Sequence, residues 1–191
     1  MNYLVTIISL LLLAGIACNN TQSNQLADDP EINDSFIKEV GHQVGNLSPN
    51  FEITLTNGET FSSSNLLQNR RPVFLFFFSP FWGTCRAELQ HMNEIDQDMG
   101  GNSTFIAIDI RYNSSLTELT NFSESQKYKW KVGKPKGNML KDLGITIQST
   151  KIAIDRTGTI VYREGYGRGT PEKWFSIIKD IENRLNWLIF V

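Results

Sequence analysis

Residues 73–78 read Val-Phe-Leu-Phe-Phe-Phe, six apolar side chains with no polar interruption. Successive side chains of a strand point to opposite faces, so a strand with one wet face alternates apolar and polar residues. A run without alternation must be covered on both faces. A second stretch of the same kind, Thr-Phe-Ile-Ala-Ile-Asp-Ile, runs from Thr104 to Ile110. Two such strands demand a central sheet with further layers above and below it. A chain of 191 residues, 40% of them hydrophobic, is long enough to build those layers.

The covering layers are legible as helices. From Thr84 or Cys85 to Met99, apolar residues recur at Cys85, Leu89, Met92, Ile95 and Met99, close to the helical period. A helix is expected from Leu116 to Lys127 after Ser114 and Ser115, both good N-caps. A short one is expected over Asn138–Leu143, stopped by Gly144. The last begins at Thr170-Pro171-Glu172 and carries the stripe Trp174, Ile177, Ile178, Ile181 and Leu185. Hairpins stand near both ends of this series. Phe51 to Phe61 alternates and turns at Asn57-Gly58, and Asp155-Arg156-Thr157-Gly158 joins two apolar runs. Strands alternating with helices predict an α/β domain with a mixed sheet. Tyr112, Trp130 and Lys134 fall in predicted loops.

The first 44 residues have a different character. Leu4 to Ala17 is apolar but shorter than the roughly 20 residues that span a bilayer, which suits a secretory signal or short anchor over residues 1–17. Small Gly15 and Ala17 precede Cys18, and "AGIAC" resembles a bacterial lipoprotein signal, in which the cysteine is lipidated. Residues 18–44 are mostly polar and read as a tether. The folded domain is expected over 45–187, with a short apolar tail at 188–191.

Charge and cysteine content narrow the functional classes. A net charge of −2 offers no basic surface to nucleic acid. Of the two cysteines, Cys18 is the lipidation candidate, which leaves Cys85 as the single free thiol and no internal disulfide. Cys85 lies where a helix starts, and helix-terminal amides favour a thiolate there. Arg86 adds a positive charge. The same cysteine also falls on the helix's apolar stripe with Leu89 and Met92, where a free thiol is usually buried and inert. Glu88, one turn on, is either a proton relay or a solvated surface carboxylate. His42 and His91 stand alone, so no metal site is expected.

The stretch Arg71 to Leu89, "RPVFLFFFSPFWGTCRAEL", resembles the thioredoxin-like proteins of the TlpA and AhpC/TSA (redoxin) group without a gap. "GNLSPNFEITLTNGETFSSSNL" is similar to that group's opening, and "LGITIQSTKIAIDRTGTIVYREGYG" to its closing hairpin. The resemblance spans roughly residues 45–185. It implies a thioredoxin-like three-layer fold, with a mixed central sheet flanked by helices and an N-terminal β-hairpin extension. It places Cys85 at the second cysteine of the group's Cys-x-x-Cys pair and Trp82 at the first, the attacking one. It places Ser149 where the group has a cis-proline. "CRAE" also matches the Cys-x-x-Glu of peroxiredoxins, although Trp82 stands where they carry Thr or Ser.

Two readings follow. One is an exported thiol oxidoreductase of the bacterial cell envelope, held outside the membrane through its N-terminus. It would act through Cys85 alone by mixed-disulfide or peroxide chemistry, with an external thiol reductant or partner protein and no cofactor. In this reading Glu88 and Arg86 assist the thiol, and Trp82 and Ser149 frame the site mouth. The other is a catalytically silent binding module that kept the fold.

Overall fold

The computed structural model describes residues 38–95, 103–167 and 169–183. The predicted signal or anchor and the tether as far as residue 37, the end of the helix predicted from Thr84 or Cys85 to Met99, Leu185 of the last helix's stripe and the 188–191 tail lie outside them. Seven strands form one mixed sheet. They are β1 (Glu52–Leu55), β2 (Thr60–Ser62), β3 (Val73–Phe78), β4 (Thr104–Asp109), β5 (Lys131–Lys136), β6 (Thr150–Ile154) and β7 (Ile160–Glu164). Their spatial order is β2-β1-β5-β4-β3-β6-β7. Strands β3, β4 and β5 run parallel at the centre, and the outer strands pair antiparallel on either side. The fold is thioredoxin-like, with the β1–β2 hairpin as its N-terminal extension.

Strand β3 occupies the centre that its sequence requires. Phe74, Phe76 and Phe78 enter one core with Leu89 and Met92 of α2 (Gly83–Ile95), Leu119 of α3 (Leu116–Ser125) and Trp174 of α5 (Pro171–Asn183). Val73, Leu75 and Phe77 enter the other, with Leu66 of α1 (Ser63–Asn69) and Met139 of α4 (Met139–Asp142). The capping prediction holds at Ser115, whose Oγ accepts from the Glu118 amide while the Glu118 carboxylate accepts from the Ser115 amide. Ser114 instead donates to Asp109 Oδ2 at 2.7 Å.

One expectation is corrected. Lys134 is not in a loop but in β5, bonded to β1 on one side and β4 on the other. Trp130 sits just before that strand, buried edge-on to Phe105 with ring centres 4.9 Å apart. "KVGKPK" contains the glycine and proline that mark turns. Gly133 is required by close approach, since a Cβ there would stand 2.5 Å from Ile53 Cγ2 and 2.7 Å from Thr54 O.

Candidate functional site at the start of α2

The parallel strands β3 and β4 end side by side at Phe78 and Asp109. Strand β6 starts at the same end, with Thr150 beside Phe77, and β7 finishes there, with Glu164 beside Lys151. The loops after β3, after β4, before β6 and after β7 therefore meet at one pole of the sheet. Ser79 and Pro80 turn the chain out of β3, and α2 opens at Gly83. Phe81 and Trp82 lie in that turn, exposed by 77% and 50%.

Cys85 points the other way. Its side chain lies in the core between β3 and α2, and the residue is 0% exposed. Burial pushes the thiol above its ordinary value, because a thiolate loses its hydration there. Backbone hydrogen bonding from Ser79 pulls the other way, the Glu88 carboxylate pushes further up, and Lys151 and the Ser149 backbone oppose it, without reversing the sum. Arg86, next along the helix, is exposed.

Glu88 is buried, not a solvated surface carboxylate. Its Oε1 accepts from Lys151 Nζ at 2.6 Å and from the Gly169 amide at 3.1 Å. Its Oε2 accepts from the Ser149 hydroxyl. Lys151 is fully buried as well, and its ammonium also donates to Ser149 Oγ at 3.0 Å and Gly167 O at 2.8 Å. The rings of Phe76 and Trp174 stand 5.3 and 5.0 Å from Nζ. Both charges are thus paired and hydrogen-bonded, the condition under which buried charges persist. Ser149 holds a left-handed φ of 64°, clamped by its amide to Phe77 O at 2.7 Å and by its hydroxyl to Glu88. Gly169 can approach Glu88 only because it lacks a Cβ, which would overlap the Trp174 ring.

Lys151 was missed by sequence reasoning. Its signal was period-two placement, since it shares a strand face with buried Ala153 and so faces the core. A cavity of about 240 Å³ beside the pair is lined by Gly83, Thr84, Ala87, Glu88, His91 and Gly169. His91 bonds Gly169 O through Nδ1 at 3.0 Å. Among the described residues no group of three His, Cys, Asp or Glu side chains could hold a metal. Nor is any described helix long and apolar enough to cross a membrane.

The Redoxin family model matches residues 43–173, more than half of the chain. The chain belongs to the redoxin family. Solved structures agree on the fold of this redoxin. It is similar to a pneumococcal exposed lipoprotein thioredoxin from Streptococcus pneumoniae, at 22% identity and TM-score 0.59 over 69% of this chain and 99% of that one. It is similar to a thiol:disulfide interchange protein of the thioredoxin family from Chlorobium tepidum, at 22% identity and TM-score 0.61 over 71% and 94%. It is also similar to a secreted disulfide oxidoreductase of Mycobacterium tuberculosis, at 16% identity and TM-score 0.59 over 68% and 95%. Comparison with curated proteins returns no match.

Proposed function

We propose that this redoxin is an exported, membrane-tethered domain that works by binding a partner rather than by turning over a disulfide. The observation that carries the reading is the fully buried Cys85 sulfur, its thiol pushed up by desolvation, beneath a site mouth where Trp82 stands in place of an exposed thiol. Thiol–disulfide exchange needs an accessible thiolate attacking along the disulfide axis. A thiol that is neither exposed nor ionised at neutral pH offers no such attack. Export is supported by the apolar segment before Cys18, and by the exposed-lipoprotein and secreted descriptions of two structural neighbours.

The test is the reactivity of Cys85 toward an aromatic disulfide reagent in the native protein. No reaction at pH 7 to 8 on the minute scale, with full reaction in denaturant, is the expected result. Rapid native labelling would reinstate the enzyme.

A second reading keeps Cys85 as a single-cysteine redox centre with an external thiol as reductant. It is favoured by the Ser79 and Ser149 backbone groups and the Lys151 ammonium, all of which draw the thiol toward the thiolate. Glu88 would then serve as the proton relay and Arg86 as a further positive charge. Treating native protein with peroxide and trapping a sulfenic acid with a cyclic diketone separates the two readings. Trapping at Cys85 favours this one.

A further inference from the structure

The side of the sheet under α1 carries a larger hollow, far from Cys85. Two short helices cover that side, α1 with seven residues and α4 with four. Seven helical residues span roughly 10 Å, whereas the six residues of β3 span roughly 20 Å, so the cover is incomplete. A hollow of about 540 Å³ opens where the β1–β2 hairpin, α1 and the starts of β4 and β5 come together. Strands β3 and β4 begin at this end, with Val73 beside Thr104, and finish at the pole where α2 starts. The length of β3 therefore separates the hollow from the Cys85 site.

The floor of the hollow is apolar and its rim is charged. Leu55 and Leu66 are buried in the core beneath, and Phe61 packs against that core half-buried. Lys131 comes to the rim through its register. It pairs with Ile106, and Ile106 belongs to the same core, so Lys131 leaves β5 on the α1 side. A lysine placed there lays its stem over apolar surface and keeps its ammonium in water. Arg71 leaves the chain between α1 and β3 and is exposed as well. The Leu66 carbonyl at the end of α1 is taken by the Arg70 and Arg71 amides, which blunts the negative end of that helix.

The positive charge on this rim is not neutralised. Among the described residues neither Arg71 nor Lys131 forms an ion pair, and Glu59, the carboxylate that lines the hollow, pairs with neither. Other hollows of the surface differ. Lys136 lines one and is paired with Glu52 at 2.8 Å, and Arg111 lines another and is paired with Asp109 at 2.7 Å. Two cations against one carboxylate leave a positive charge in excess here, on a chain whose net charge is −2. Asn69 Nδ2 donates to Asn65 O at 2.8 Å, and the side-chain amide of Asn65 stays open to an occupant.

A small anion with an apolar body meets each of these features. Its charge falls on the guanidinium fork of Arg71 and the ammonium of Lys131, and the Asn65 amide donates to its polar edge. Its body rests on Leu55, Phe61 and Leu66, in a hollow of the size that takes small molecules. We propose that this hollow binds a small organic anion, a carboxylate or phosphate monoester with an apolar body. The site goes beyond the reading of this redoxin as a partner-binding module and does not involve Cys85.

The probe is phenyl phosphate, compared with inorganic phosphate and benzyl alcohol, titrated into the isotope-labelled full chain and followed by amide chemical shifts. The expected result is saturable binding of phenyl phosphate that shifts the Phe61, Leu66 and Lys131 amides, with both comparison compounds at least tenfold weaker. Arg71→Gln with Lys131→Gln should weaken phenyl phosphate at least tenfold, Glu59→Gln should tighten it, and Lys141→Gln on α4 should leave it unchanged. All four side chains are exposed, so an unchanged urea midpoint certifies each variant. Equal binding by the double variant, or no saturable binding by wild type, overturns the proposal. Inorganic phosphate binding as tightly as phenyl phosphate would make the hollow a bare-anion site, and benzyl alcohol binding as tightly would make it an apolar one. Either result also overturns the proposal, as does an equal loss in Lys141→Gln, which would reduce the effect to the charge of the whole surface. Shifts confined to the start of α2 would place the probe at the Cys85 pole and overturn it too.

Discussion

Cys85 illustrates how one side chain's surroundings outweigh its place in the sequence. The start of a helix favours a thiolate by fractions of a kcal/mol to about 2 kcal/mol. Removing the sulfur from water opposes ionisation more strongly, and the thiol is raised from 9.0. The sign of the linkage follows. Above pH 9.0 the unfolded chain has released a proton that the native thiol still holds, so raising the pH favours unfolding. The stability is fully present below that pH and is lost as the pH rises through the native value. Tyr128, pushed up to about 12 by burial, acts in the same direction at higher pH. Cys85→Ala is expected to flatten the fall of the urea midpoint just above pH 9.0, and identical slopes in both proteins would contradict this. Gly133 is the second residue whose neighbours decide. A methyl group there meets the β1 backbone as well as Ile53, so Gly133→Ala is expected to cost about 2–3 kcal/mol by chemical denaturation. A loss near zero would mean that β1 and β5 can part freely.

Elements were legible wherever their pattern is local. Strands β3 and β4 announce themselves by uninterrupted apolar runs, α2 and α5 by period, α3 by the serines before it, and the β1–β2 turn by Asn57-Gly58. Strand β5 was illegible because its identity is non-local: Gly133 and Pro135 favour a turn, and only pairing with β1 and β4 extends them. Helix α1 carries a local conflict of another kind. It ends at Arg70 with φ 48° and ψ 40°, the left-handed geometry that glycine adopts without strain. Arg70 is exposed and its amide bonds Leu66 O, which a glycine would preserve. Arg70→Gly is therefore expected to raise stability by about 0.5–1 kcal/mol in urea titration. A loss of similar size would show that unfolded-state entropy outweighs the relief of strain.

Across the whole molecule, the Glu88–Lys151 pair joins α2, β6 and the loop before α5 at the floor of the site. Leaving one charge buried without its partner costs about 3–5 kcal/mol, whereas replacing both by apolar residues is often near neutral. Lys151→Met alone should destabilise by that amount, and Lys151→Met with Glu88→Leu should recover most of it in a double-mutant cycle. Additive losses would mean that the two side chains act independently. The pair also shows where sequence reading stops. By itself the sequence determined the layered α/β architecture, the central strand, the helix carrying Cys85 and the resemblance to redoxins, because apolar periodicity and turn chemistry act between near neighbours in the chain. Only the tertiary structure decided that Glu88 is buried against Lys151, that the Cys85 sulfur is sealed from water, and that Arg71 and Lys131 line one hollow. Those outcomes depend on which faces meet across the sheet, and burial, charge pairing and exposure are properties of that meeting rather than of any single segment.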